Sequence, residues 1–127
     1  MNTLPKPRIL IVDDQPEVRQ LLAAVLSDAG CEVNAAEDAG QGLLLAGNGK
    51  FDLITLDVDM PGASGFEVCS RLKNSPELKS IPVVFVSGRC EEEDRQRAME
   101  VGAADFFTKP FDLDSFIPRL LAYAKAA

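Results

Sequence analysis

Five short strand-like runs, most of them apolar, recur along this chain, and a segment with helical spacing of apolar residues follows each. These runs are Arg8 to Asp13, Cys31 to Ala36, Leu53 to Leu56, Val83 to Val86 and Ala104 to Thr108. Apolar runs without polar alternation are typical of strands buried on both faces of a parallel sheet. The alternation of strand and helix predicts an α/β fold, with a doubly wound parallel sheet, helices on both faces and right-handed crossovers.

Capping and stop signals mark the first three helices. Pro16 suits the first turn of helix one, and Gly30 suits its end. The apolar stripe between them consists of Val18, Leu21, Leu22, Val25, Leu26 and Ala29. Asp38 with Gln41, and Ser64 with Glu67, have the spacing of capping boxes. Helix two is rich in glycine, so we expect its three leucines to hold it on the sheet; helix three should bury a sparse apolar face. These side chains are Leu43, Leu44 and Leu45 in helix two, and Phe66, Cys69 and Leu72 in helix three.

The last two helices carry less regular signals. Four consecutive acids, Glu91 to Asp94, favour the start of helix four because they complement its dipole, and Gly102 favours its end. A final helix is predicted from about Asp112 to Ala126. Pro118 falls inside it, and an interior proline costs about 3 kcal/mol. We therefore expect this helix to start late, with a cap at Asp114, or to bend near Pro118.

Composition narrows the classes of function. The 127 residues predict one domain, covering residues 1–127, and the formal charge of −7 disfavours direct nucleic-acid binding. No apolar run approaches the roughly 18 residues of a membrane span, and Met1 to Pro7 lacks a signal core, so a cytoplasmic location is expected. Cys31, Cys69 and Cys90 have neither disulfide nor metal spacing. The absence of histidine excludes imidazole chemistry.

Polar side chains follow the predicted strands at the edge where parallel sheets place their sites. Asp13 and Asp14 follow the first strand, Asp57 the third, Ser87 the fourth and Lys109 the fifth. Three carboxylates repel one another unless a cation or a raised pKa relieves them, and hard oxygen ligands favour Mg²⁺. These residues predict a phosphoryl site, with the metal and the lysine offsetting charge, the serine orienting and one aspartate as nucleophile.

The motifs at these positions resemble those of the receiver domain of two-component response regulators over essentially the whole chain. The matching segments are Ile11-Val12-Asp13-Asp14, Leu56 to Gly62, Val86-Ser87-Gly88 and Gly102 to Phe111. The resemblance implies a flavodoxin-like (βα)5 fold with strand order 2-1-3-4-5. It implies a phosphorylation-dependent switch, not an enzyme beyond its own phosphorylation and dephosphorylation. The expected partners are a histidine kinase or phosphotransfer protein and a downstream protein target, with weak homodimerisation left open and no membrane partner.

The same resemblance implies roles for individual residues. Asp57 would accept the phosphoryl group from a phosphohistidine. Mg²⁺ would be held by Asp14 and Asp57, by Asp13 mainly through water, and by the main-chain carbonyl of Asp59.

The resemblance also implies which residues would bind the phosphoryl group and transmit its presence. Ser87 and Lys109 would bind the phosphoryl oxygens, and Ser87 with Phe106 would form the switch pair. Because Phe106 lacks a hydroxyl, its inward and outward rotamers should differ by packing alone. The Lys109-Pro110 peptide is expected to be cis, and the signal would change the surface of helix four, strand five and helix five.

The resemblance further implies that two positions beside the site tune the phosphoryl lifetime. Asp59 and Arg89 lie on neighbouring loops, and we expect them to approach within ion-pairing reach, with non-additive effects on that lifetime. Gly88 should leave the phosphoryl group open to water.

Two alternatives remain at this stage. The chain can be the receiver part of a larger multidomain regulator or hybrid kinase. The sequence Asp57-Val58-Asp59 also resembles the nucleophile motif of haloacid-dehalogenase-type phosphatases, although that family places it on its first strand.

Overall fold

The computed structural model of the chain describes residues 6–88, 91–109 and 112–125. Within these residues strands and helices alternate in the order β1 (Arg8–Val12), α1 (Pro16–Asp28), β2 (Glu32–Ala36), α2 (Ala39–Asn48), β3 (Leu53–Leu56), α3 (Gly65–Lys73), β4 (Val83–Ser87), α4 (Glu92–Glu100), β5 (Asp105–Thr108) and α5 (Leu113–Lys125). Each strand falls on a run that the sequence marks as strand-like. β2 and β5 begin one residue later than predicted.

The strands form one parallel sheet in the order β2-β1-β3-β4-β5. β1 therefore lies between β2 and β3, and the chain winds outward from it in both directions. Val12 aligns with Leu56, and Ser87 aligns with Thr108, so these strands end at one edge of the sheet. The predicted fold class and strand order are confirmed.

Two apolar cores, one on each face, hold the helices to the sheet. Alternate residues of a strand point to opposite faces, so Leu10 joins one core and Ile11 the other. The first core contains buried side chains from α2, α3 and α4, and the second contains side chains from α1 and α5. Phe85 anchors the first and Phe116 the second, each 1% exposed or less. Burial of one such side chain contributes about 1.5 to 3 kcal/mol.

The predicted caps of the middle helices are present. The side chain of Asp38 accepts a hydrogen bond from the Gln41 amide at 2.8 Å, and Ser64 Oγ accepts one from the Glu67 amide at 3.3 Å. Each bond satisfies a backbone donor that has no partner inside its helix. Gly102, with a φ of 98°, follows α4 as a glycine stop does.

Helix α2 packs differently from the prediction. Leu44 is 64% exposed, so the expectation that it holds the helix on the sheet is wrong, although the leucines on either side of it pack against the core. The buried residues of the helix are Ala39, Gly42 and Ala46. A Cβ added at Gly42 would lie 2.9 Å from a Val12 methyl carbon. Small residues therefore let the helix approach β1 closely, and the glycine that weakens the helix serves this approach.

The start of α5 also corrects the prediction. The helix begins at Leu113, because the side chain of Asp112 accepts a hydrogen bond from the Asp114 amide at 3.0 Å. A late start capped by Asp114 is therefore wrong. Phe116 lies in the turn before Pro118 and is buried in the second core, and the helix continues through that proline. A bend at Pro118 remains a prediction.

Within residues 6–88, 91–109 and 112–125, every helix falls short of the length and apolar character that a membrane crossing requires.

The loop after β3 ends at Gly65, where the backbone passes close to the backbone of Asp57 and Val58. Its amide donates a hydrogen bond to the Val58 carbonyl at 2.8 Å. A Cβ built at Gly65 would lie 2.2 Å from the carbonyl oxygen of Asp57, a distance that real atoms do not tolerate. The absence of a side chain at Gly65 therefore fixes the path of the backbone that carries Asp57.

We expect Gly65→Ala to destabilise the fold by about 1 to 3 kcal/mol, because the added methyl group forces backbone apart where nothing flexible can yield. Equilibrium unfolding in urea measures this change. Gly47→Ala is the matched control, since a Cβ at this exposed position of α2 meets nothing within 4 Å. That variant should gain about 0.5 to 1 kcal/mol from helix propensity. Equal stability of Gly65→Ala and the unsubstituted protein would contradict the argument.

Candidate functional site

Three carboxylates converge where β1 and β3 end. The backbone ladders extend one residue past each strand: the Asp13 amide donates to the Ala36 carbonyl at 3.1 Å, and the Asp57 amide to the Val12 carbonyl at 3.0 Å. Carboxylate oxygens of Asp13, Asp14 and Asp57 lie within 4.8 Å of one another. Asp13 and Asp57 are buried, whereas Asp14 is exposed. The structure therefore brings together the three acids that the sequence pattern placed at this edge.

Lys109 enters this cluster from the end of β5. Its amide donates to the Ser87 carbonyl at 2.8 Å, which aligns the end of β5 with β4. Its Nζ lies 2.8 Å from Asp13 Oδ2 and 3.5 Å from Asp57 Oδ2. One ammonium group thus faces two buried carboxylates.

Burial raises the pKa of Asp57 to about 6, and several neighbours modify the effect. Desolvation is the largest cause, and the charge of Asp13 raises the pKa further. Lys109, and a hydrogen bond donated by the Asp59 amide at 3.4 Å, lower it, while Asp14 raises it. The pKa is raised because burial and the two neighbouring carboxylates together outweigh the effects of Lys109 and the Asp59 amide.

The donor set fits a magnesium ion. Carboxylate oxygens are the ligands that Mg²⁺ prefers, and an additional cation would relieve the uncompensated negative charge. The three acids can supply such ligands because their oxygens lie close together.

A cavity of about 670 Å³ opens beside the carboxylates. Its lining residues are Asp14, Gln15, Val18, Leu21, Asp57, Asp59, Gly88 and Lys109. Leu21, from the predicted apolar stripe of α1, is 43% exposed here instead of joining the core. Gly88 adds no side chain, and a Cβ there would meet nothing within 4 Å. The cavity therefore gives a small group access to Asp57.

The two residues of the predicted switch lie on neighbouring strands. Ser87 is fully buried at the end of β4, beside β3. Phe106 on β5 is also buried, with its ring centroid 6.2 Å from that of Phe85. The aromatic ring therefore occupies an inward position in this structure.

Two contacting residues were missed by the sequence analysis. The Arg95 guanidinium lies over the Phe106 ring, 5.2 Å from its centroid, and donates a hydrogen bond to Thr108 Oγ1 at 3.0 Å. Gln15 Oε1 accepts a hydrogen bond from Lys109 Nζ at 2.7 Å. Available signals were an arginine directly after the run of acids that opens helix four, and a glutamine directly after the acid pair.

Some predictions fall on residues that the structure does not describe. Arg89, Cys90 and Pro110 lie outside the described residues. The Asp59 ion pair with Arg89 and the cis Lys109-Pro110 peptide therefore remain predictions. Asp59 itself is exposed at the rim of the cavity.

Comparison with known proteins identifies one family. The family model described as "Response regulator receiver domain" matches residues 9–121. Protein PilH of Pseudomonas aeruginosa is 37% identical over 115 residues, covering 91% of this chain and 95% of PilH. Transcriptional regulatory protein TcrA of Mycobacterium tuberculosis is 37% identical over 118 residues, covering 93% of this chain and 46% of TcrA.

Solved structures agree with these sequence matches. The structure of chemotaxis protein CheY4 of Vibrio cholerae has a TM-score of 0.88 at 31% identity, covering 94% of this chain and 99% of that chain. The chain spans about half the length of the transcriptional regulators it matches, with shares of 46%, 48% and 50%. Some relatives, such as PilH, therefore match this chain over nearly their whole length, whereas others, such as TcrA, match it over one part of a longer protein.

In the absence of divalent metal, Asp57→Asn is expected to stabilise the fold at neutral pH. Because the folded-state pKa is raised from 3.8 to about 6, the protonated carboxyl favours the folded state below pH 3.8, and this contribution is lost as pH rises through 6. The neutral side chain in Asp57→Asn should therefore raise the free energy of unfolding by about 1 to 3 kcal/mol at pH 7.5 and by less at pH 4.5. Urea unfolding with a chelator, at both pH values, measures the difference.

Asp14→Asn serves as the control, because this exposed carboxylate of the same cluster should change stability less. A gain for Asp57→Asn of the same size at both pH values, or a loss at pH 7.5, would contradict the assigned electrostatics.

Proposed function

This chain belongs to the response regulator receiver domain family, and on that premise we propose that Asp57 is the residue that accepts the phosphoryl group. Members of this family are phosphorylation-dependent signalling switches and not conventional enzymes. The support for Asp57 comes from its position. It is a buried carboxylate that lines the cavity and faces an ammonium group at 3.5 Å.

The other two acids are poorer candidates for the nucleophile. Asp13 does not line the cavity, and its oxygens accept hydrogen bonds from Lys109 Nζ and from the Gln15 amide. Asp14 is exposed to solvent. With a pKa of about 6, Asp57 is mostly ionised at neutral pH and therefore available for attack.

In the proposed transfer, a carboxylate oxygen of Asp57 forms a bond to phosphorus while the bond from phosphorus to the donor's imidazole nitrogen breaks. The leaving imidazole keeps the electron pair of that bond. The switch returns to its unphosphorylated state by hydrolysis. Water adds to phosphorus and the Asp57 carboxylate leaves, which yields inorganic phosphate and free Asp57. The chain needs no histidine for this chemistry, because the partner supplies the phosphohistidine.

Asp13, Asp14 and Asp57, together with the main-chain carbonyl of Asp59, would hold Mg²⁺. When bound, the ion would supply positive charge to the phosphoryl oxygens. Lys109 would offset the remaining negative charge.

Ser87 and Phe106 would transmit the phosphorylated state. The Ser87 hydroxyl would bind a phosphoryl oxygen, and Phe106 would change its packing in response. The surface formed by α4, β5 and α5 would then change its affinity for a downstream protein target. The proposed donor is a histidine kinase or phosphotransfer protein in the cytoplasm.

Residues 1–127 would form a single receiver domain that works by docking to its partners, without direct nucleic-acid binding. Weak homodimerisation is compatible with this role. A second arrangement, in which this chain is the receiver part of a longer regulator, is favoured by the half-length matches to transcriptional regulators.

With Mg²⁺ and phosphoramidate, the protein should gain one phosphoryl group that is stable in acid and labile in base. Asp57→Asn should abolish this gain, and omission of Mg²⁺ should prevent it. Intact-mass spectrometry measures both, with Asp28→Asn, an exposed carboxylate at the end of α1, as the control. Undiminished labelling of the Asp57→Asn variant would disprove the assignment.

Lys109→Ala should still bind Mg²⁺, because the carboxylate ligands remain. It should fail to convert phosphorylation into a change of the α4, β5 and α5 surface, which amide NMR shifts of these elements report. A phosphorylation-dependent shift pattern identical to that of the unsubstituted protein would exclude Lys109 from the switch.

A further inference from the structure

Gln15 occupies the N-cap position of α1 without capping the helix through its side chain. Its backbone is extended, with φ of −89° and ψ of 113°, and its carbonyl accepts hydrogen bonds from the amides of Val18 and Arg19. Residues with short polar side chains are preferred at this position because they satisfy the first backbone donors of a helix. The Gln15 side chain therefore gives α1 none of this stabilisation.

The side chain instead contacts the functional site. Gln15 Oε1 accepts a hydrogen bond from Lys109 Nζ at 2.7 Å, across 94 positions of sequence. Asp13 Oδ2 accepts from the same ammonium at 2.8 Å, while Asp13 Oδ1 accepts from the Gln15 amide at 2.9 Å. These three hydrogen bonds close a ring through Asp13, Gln15 and Lys109.

The ring leaves one N–H group of the Lys109 ammonium available for another acceptor. A lysine ammonium has three N–H donors, and two of them are directed at Asp13 and Gln15. A third acceptor, Asp57 Oδ2, lies 3.5 Å from the same nitrogen. With two N–H groups engaged by Asp13 and Gln15, the third is left for Asp57, the carboxylate that lines the cavity.

We propose that Gln15 is a positioning residue that orients the Lys109 ammonium toward the phosphoryl group on Asp57. This inference rests on the proposed function of Asp57 and adds a determinant of its phosphorylation rate. Glutamine suits the task in two ways. Its amide oxygen reaches one methylene farther than that of asparagine, and it accepts a hydrogen bond without adding negative charge to three clustered carboxylates.

Gln15→Met tests the hydrogen bond, because methionine has a similar shape but cannot accept this bond strongly. We expect labelling by phosphoramidate at saturating Mg²⁺ to slow about fivefold, which corresponds to one net hydrogen bond of about 1 kcal/mol. Gln20→Met, at an exposed position of the same helix, should label at the unsubstituted rate. A Gln15→Met rate equal to that of the unsubstituted protein would overturn the inference and leave the assignment of Asp57 intact.

Gln15→Ser separates positioning from helix stability. A serine hydroxyl can cap α1 but is too short to reach Lys109, so the thermal midpoint should be unchanged or higher while labelling slows about fivefold. Normal labelling of this variant would overturn the inference even if Gln15→Met failed to fold.

A double-mutant cycle tests whether Gln15 acts through Lys109. In a Lys109→Met background the ammonium is absent, so adding Gln15→Met should change the labelling rate by less than about twofold. An equal fivefold loss in that background would show that Gln15 acts elsewhere and would overturn the inference. Failure of the unsubstituted protein to label at all would instead refute the proposed function, which keeps the two failures distinct.

Discussion

The ion pair between Lys109 and Asp13 spans the edge of the sheet that carries the candidate site, called the functional edge below. The strands that lie between the two residues determine how they meet. Lys109 follows β5 and Asp13 follows β1, with β3 and β4 between these strands. The side chains are only 14% and 3% exposed, so both charges lose much of their hydration. A buried pair of this kind adds little net stability, because desolvation costs several kcal/mol per ion, yet loss of one partner leaves a charge uncompensated. The pair therefore fixes where the ammonium lies more than it stabilises the fold.

Several residues at the functional edge adopt arrangements that lower the stability of the fold. Asp57 is ionised at neutral pH although burial raises its pKa, and Gln15 contacts the lysine instead of capping α1. Gly65 gives up helix propensity so that the backbone can pass the Asp57 carbonyl. The two cores offset these losses, since each large buried side chain contributes about 1.5 to 3 kcal/mol. Local departures from the best helix or charge pattern thus coincide with the site, as expected where function competes with folding.

Sequence reasoning predicted the strands, the caps at Asp38 and Ser64, and the convergence of the carboxylates, because these depend on local spacing and on the geometry of parallel sheets. It failed for Leu44, since three consecutive leucines on a helix cannot all face one sheet. The contacts of Gln15 and Arg95 could not be predicted from spacing. Each joins elements that are distant in sequence or depends on a side-chain rotamer, so the three-dimensional fold must be known first.

The packing of Phe106 sets the energy that a switch through this residue requires. A tyrosine at this position could exchange one hydroxyl hydrogen bond for another, whereas phenylalanine can exchange only packing. Turning the ring outward would give up burial worth about 1.5 to 3 kcal/mol and the contact with Arg95, worth about 0.5 to 1 kcal/mol. Coupling between two sites typically amounts to about 1 to 3 kcal/mol. The energy that holds the ring in its inward position is therefore about as large as the coupling that one site typically transmits to another. The packing around Phe106 thus decides how far a change at the site can move the ring.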